Sequence, residues 1–104
     1  MKVHFTEKGW EEYVALQMND RAALRRINLL ICEIQRDPYA GIGQPEALRH
    51  KLSGYWSRRI DRANRLVYSV EEDLLTIVQC SGHYLKATTK RRASAGQRRR
   101  SGRA

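Results

Sequence analysis

The chain has 104 residues, 41% of them hydrophobic, and carries 20 Lys/Arg against 11 Asp/Glu, a formal net charge of +9. That length and apolar content leave room for one small domain with a core, which excludes a multidomain enzyme and a wholly disordered chain. Two cysteines, Cys32 and Cys80, without metal-ligand spacing fit a reducing cytoplasm rather than a disulfide framework. No apolar run approaches the ~18 residues of a membrane span, so no membrane partner is expected.

Lys2 to Phe5 reads as a short strand, with Val3 and Phe5 facing one way. Thr6 is placed to N-cap a helix from about Glu7 to Gln17, with Glu7 in the first turn, where the helix dipole favours an acid. Asp20 is placed to cap a second helix, whose Leu24, Ile27, Ile31 and Ile34 recur at the spacing of one buried face. Pro38 ends it, because proline disfavours helix in the residue before. Two consecutive amphipathic helices predict a hairpin. Residues 38–45, P-Y-A-G-I-G-Q-P, are a loop, and Glu46 to Leu52 is expected to form a helical turn.

From Tyr55 the period changes to two. Tyr55–Asp61, Arg65–Glu71 and Leu74–Cys80 predict three strands of an antiparallel meander. In the first, alternation groups Trp56, Arg58 and Ile60 on one face and Tyr55, Ser57 and Arg59 on the other. The predicted fold class is α+β: an N-terminal helical hairpin packed on one face of a small antiparallel sheet, with the other face open and polar. Residues 1–85 form the domain. Residues 86–104 hold eight Lys/Arg, no acid and little to bury, and read as a disordered basic tail.

Within the domain the charge is sorted. Residues 49–65 hold six Lys/Arg and one acid, Asp61, whereas residues 66–85 are net −3. Such a cluster attracts polyanions, which nominates Arg49, His50, Lys51, Arg58 and Arg59 for RNA contact; the plainer reading is a solvated face. RNA carries its own nucleophile, the 2′-OH. Cleavage requires a base for that proton, a cation for the crowded phosphorane and an acid for the 5′ oxygen. Glu46 suits the base, Arg65 the phosphate and His83 the acid, with Tyr84 beside it to stack or orient. Each has a plainer reading: a first-turn acid, an arginine paired with Asp61, a surface histidine and a half-buried core edge. His4 and His50 compete with His83. No His/Cys/Asp cluster has ligand spacing, so neither metal nor cofactor is expected.

The run P-E-A-L-R-H-K-L-S-G-Y-W-S-R-R-I-D at 45–61, with N-R-L-V-Y at 64–68 and H-Y at 83–84, resembles YoeB-type toxins of the RelE superfamily. The likeness spans essentially Met1 to Tyr84. It implies a RelE-like fold and a ribosome-dependent mRNA interferase of a type II toxin–antitoxin system, cutting in the A site. It also implies Glu46 as base, Arg65 on the phosphate, His83 as acid and Tyr84 as its neighbour, with Arg49, Lys51 and Arg59 matching cations that hold mRNA and ribosomal RNA. The implied partners are a YefM/Phd-type antitoxin, the ribosome, a second toxin copy, and operator DNA only through the antitoxin complex. Two features depart from the family. Ser81-Gly82 precede His83 where relatives carry an aromatic or basic residue, and twenty residues follow Tyr84. The competing readings are a ParE-like toxin of the same fold and a non-catalytic basic nucleic-acid-binding module.

Overall fold

Thr6 starts the first helix as its side chain predicts. Its Oγ1 accepts a hydrogen bond from the Gly9 amide at 3.1 Å, and α1 runs Glu7–Asn19. Asp20 then serves two helices at once. Its backbone N–H closes α1 onto the Leu16 carbonyl, while its carboxylate accepts from the Ala23 amide at 3.0 Å to open α2, Arg21–Arg36. The buried row of α2 is Ala23, Ile27, Leu30 and Ile34. Leu24 and Ile31, expected at its centre, lie half-buried beside it, a rotation of one position.

The structure, a computed structural model, describes residues 1–81; His83, Tyr84 and the 86–104 tail lie outside the described residues. The strands are β1 (Lys2–Phe5), β2 (Glu46–Ala47), β3 (Trp56–Arg59), β4 (Arg65–Glu71) and β5 (Leu74–Gln79), in spatial order β1-β5-β4-β3-β2. The meander β3–β4–β5 forms as predicted. The sheet is mixed rather than purely antiparallel, because β1 joins β5 in parallel, Val3 opposite Leu75 and Phe5 opposite Ile77. Glu46 corrects a second expectation. It lies on a two-residue strand paired with Trp56 and Ser57, and only His50–Leu52 forms a tight helical turn.

The helices cover one face of the sheet. Ile27, Leu30 and Ile34 of α2 share one core with Leu66 and Tyr68 of β4 and Leu75 and Ile77 of β5. The other helix lies still closer to the sheet. A Cβ added to Gly9 would stand 2.5 Å from the Ile77 carbonyl oxygen, so only glycine allows α1 to lie this near β5. No described helix is long and apolar enough to cross a membrane.

Gly9→Ala sets two effects against each other. Alanine is favoured over glycine in a helix by about 1 kcal/mol, but this Cβ meets a backbone carbonyl that cannot swing aside. Overpacking of this kind costs about 1–3 kcal/mol, so the urea midpoint of the variant should fall. A midpoint at or above wild type would show that α1 does not need this approach.

Candidate functional site

The site begins with an arginine that sequence placed on the surface. Arg58 is fully buried. Its Nε donates to the Tyr68 hydroxyl at 3.2 Å, Nη1 to the Ile42 carbonyl at 3.1 Å, and Nη2 to the Asp37 and Ala40 carbonyls at 2.6 and 3.0 Å. Tyr68 donates in turn to the Pro38 carbonyl at 2.7 Å. The expectation that Arg58 contacts RNA is therefore corrected: it is buried, with its donors turned to Tyr68 and to the loop that follows α2. Alternation puts Arg58 on the face of Trp56 and Ile60, where a cation needs buried acceptors, and the loop carbonyls supply them. Gly43 completes the seat with φ +86°, since a Cβ there would press on Leu30 Cδ2 at 3.0 Å and Arg58 Cβ at 3.1 Å.

With the loop held, β2 aligns on β3, and the opposite face of the sheet acquires its chemistry. The pairings Glu46–Ser57, Ser57–Val67 and Val67–Gln79 form one row across four strands, and directly paired residues share a face. Arg65 stands two residues along β4 from Val67, on that same face, opposite Arg59. Its Nε donates to Ser57 Oγ at 3.0 Å, and its Nη2 reaches across β3 to Glu46 Oε1 at 3.5 Å. The Arg65 side chain is 10% exposed and that of Glu46 is 56% exposed, so a sheathed cation meets an accessible carboxylate. The ion pair described for Arg65 is with Glu46 rather than Asp61. The Asp61 carboxylate accepts instead from the Ala63 and Asn64 amides and the Asn64 side chain, closing the β3–β4 turn.

Arg49, His50, Lys51 and Arg59 are exposed. The first three lie on or beside the short turn that follows β2, where His50 takes a left-handed backbone with φ 59°. Trp56 packs against the core and its ring lies 4.9 Å from that of Tyr39, in keeping with a core residue rather than a platform for bases.

Sequence reasoning missed Glu12 on α1. Its Oε1 accepts from the Cys80 and Ser81 amides at 2.8 and 3.2 Å, where the chain leaves β5. Burial raises this carboxyl above its ordinary value, against the opposing pull of those amides and of Lys8. Nothing in the sequence marks Glu12 out from its helical neighbours Glu7 and Glu11, because its partners are backbone amides far along the chain. Cys80 beside it has its thiol pushed up to about 12, first by burial and then by the Glu12 charge.

A family profile described as "YoeB-like toxin of bacterial type II toxin-antitoxin system" matches residues 5–84. A relative from Synechocystis sp. called Toxin YoeB is 54% identical over 84 residues, covering 81% of this chain and 98% of its own. Among solved structures, the YoeB dimer from Staphylococcus aureus superposes with a TM-score of 0.76 at 39% identity, over 81% of this chain and 98% of that one. The toxin in the heterotetrameric YoeB–YefM toxin–antitoxin complex from the same organism gives 0.75 at 39% identity, with the same two shares.

Two expectations follow from the geometry. Arg58→Ala withdraws the donor from three loop carbonyls and leaves a cavity, so stability to urea should fall by about 3 kcal/mol or more. Arg58→Lys should recover only part, lacking the planar fork; full stability in either variant would deny the loop its dependence on this contact. The thiols should also differ. At pH 8 the Cys80 thiol is far below its raised value and stays protonated, so mass spectrometry after iodoacetamide should find the native protein modified at the exposed Cys32 alone. Equal labelling of both would contradict the burial of Cys80.

Proposed function

Because this chain belongs to the family of YoeB-like toxins of bacterial type II toxin–antitoxin systems, we propose that it acts as an endoribonuclease that cuts mRNA in the ribosomal A site. Glu46 takes the proton of a 2′-OH, and the freed oxygen attacks the neighbouring phosphorus. Arg65 stabilises the charge that collects on the phosphorane, for which a guanidinium fork suits two oxygens. The P–O5′ bond breaks, His83 protonates the leaving 5′ oxygen, and a 2′,3′-cyclic phosphate remains. Tyr84 orients His83 or stacks on a base. No metal takes part in these steps.

The observation that carries this reading is the approach of Glu46 Oε1 to Arg65 Nη2 at 3.5 Å, with Ser57 steadying the guanidinium. An exposed carboxylate beside a cation held by its neighbours is the arrangement that a proton acceptor and a phosphate clamp require. In the free protein the two hold one another; an entering phosphate exchanges Glu46 for its own oxygens on Arg65 and releases the carboxylate toward the 2′-OH. Arg49, His50, Lys51 and Arg59 supply the surrounding positive charge for mRNA and ribosomal RNA, through contacts that fix position rather than read sequence.

The partners follow from the relatives. We assign this toxin an antitoxin of the YefM type that covers the basic face, and a second copy of itself in the free state; operator DNA is met only through the antitoxin complex. Trp10, Val14 and Met18 are exposed at successive turns of α1, an apolar stripe of the kind a protein partner covers.

The test is a cell-free translation reaction programmed with a defined mRNA, with the new 5′ ends mapped. Cuts at A-site codons that require both ribosomes and His83 are the expected result. Glu46→Ala and Arg65→Ala should each slow cleavage by about 10²–10⁴-fold. Arrest of translation without new ends would sink the cleavage mechanism and leave a binding module. Normal rates in either variant would remove that residue from the chemistry.

A further inference from the structure

The chain leaves β5 tied to α1 at one point. Glu12 Oε1 receives both the Cys80 and the Ser81 amide, and one helical turn earlier the Gly9 carbonyl accepts from Cys80 Sγ at 3.3 Å. The Gly9 contact with Ile77 fixes how closely that turn approaches the strand. Three contacts thus converge on the last two described residues. Glu7 and Glu11 on the same helix are exposed, whereas the Glu12 side chain is only 19% exposed. The carboxylate stays there although burial disfavours its charge, and Lys8 Nζ, at 4.0 Å from Oε2, offsets this only in part.

The location gives the contact its meaning. Gln79, the last residue of β5, pairs with Val67 in the row that contains Glu46 and Ser57. The chain therefore leaves β5 at the end of that row, with Gln79 in the row and Cys80 turned into the helix-side core. His83 is two residues beyond Ser81, and two residues span at most about 7 Å. Gly82 stands between them. What holds Ser81 accordingly fixes the point from which the chain to His83 starts.

We propose that Glu12 is a positioning residue for the RNA-cleavage reaction: by fixing the Cys80 and Ser81 amides, it sets the direction in which His83 reaches the phosphodiester flanked by Glu46 and Arg65. The inference rests on the endoribonuclease reading above. The role belongs to the acceptor oxygen and not to the charge, since a neutral amide oxygen in the same place still receives both N–H groups, although more weakly than a carboxylate. Misplacing a catalytic group by an ångström costs up to about 10²-fold in rate without weakening substrate binding.

The experiment compares wild type, Glu12→Ala and Glu12→Gln in two measurements. Amide hydrogen exchange at Cys80 and Ser81 should quicken at least about 10-fold in Glu12→Ala, with β3 and β4 unchanged, and return to near wild type in Glu12→Gln. In ribosome-programmed cleavage, Glu12→Ala should lower kcat by about 10-fold or more with KM within about twofold, and Glu12→Gln should restore it. If Glu12→Ala fails to fold, Glu12→Asp, one methylene short of both amides, takes its place. Wild-type kcat in Glu12→Ala or Glu12→Asp overturns the proposal, as does a Glu12→Gln as slow as either. A loss carried by KM alone overturns it too. A wild type that cuts no RNA sinks the endoribonuclease reading and this proposal together, whereas a cutting wild type with an indifferent Glu12→Ala sinks this proposal alone.

Discussion

A buried guanidinium holds this structure in register. Arg58 donates to three backbone carbonyls and one hydroxyl, and these meet its charge. The same contacts solve the loop's own problem. Residues 37–42 leave a helix end with carbonyls pointing inward, and without a donor those groups would stay unsatisfied. One side chain therefore meets the needs of two elements, and neither is stable in this form alone. Because β2 follows directly from this loop, the placement of Glu46 depends on Arg58, although the two residues face opposite sides of the sheet.

The two faces divide the work. The helix side holds the apolar core, the Arg58 seat and the Tyr68 bond to Pro38. The far side carries the row Glu46–Ser57–Val67–Gln79 with Arg65 and Arg59 beside it. A β-sheet suits such a site because neighbouring strands hold side chains of distant sequence position within a few ångströms, at angles set by the pleat. Arg65 and Glu46 are 19 residues apart and not on adjacent strands, yet one guanidinium spans the strand between them. Ser57, small and fully buried, leaves that path open and supplies a hydroxyl along it.

Most of the fold was legible in the sequence. The caps at Thr6 and Asp20 and the three alternating strands appear where the residues put them, and α2 forms with its buried row one position round from the expected one. What was not legible has physical reasons. A two-residue strand such as Glu46–Ala47 has no period to detect, and its pairing with β3 is a tertiary fact. β1 joins β5 from the other end of the domain, so its parallel direction leaves no local trace. For Arg58 two signals disagreed: alternation assigned it to the core side with Trp56, while the count of cations assigned it to the surface. The structure follows alternation, because nearby carbonyls were available to receive the charge. Glu46 and Arg65 were nominated by the chemistry of RNA cleavage and by resemblance. Glu12 escaped because a side chain that serves backbone amides leaves no pattern in the residues it serves.

The order β1-β5-β4-β3-β2 places the strand made last next to the strand made first. During synthesis, β1 and α1 leave the ribosome with their partner strand still unmade, since β5 ends at Gln79. The meander β2–β3–β4 can begin to assemble, but the sheet stays open between β4 and β1 until β5 inserts. Closure joins the two ends of the domain, a non-local step that comes late in folding. A growing chain therefore cannot complete its sheet until β5 has cleared the exit tunnel, and until then β4 and β1 each keep an unpaired edge that the missing strand will fill.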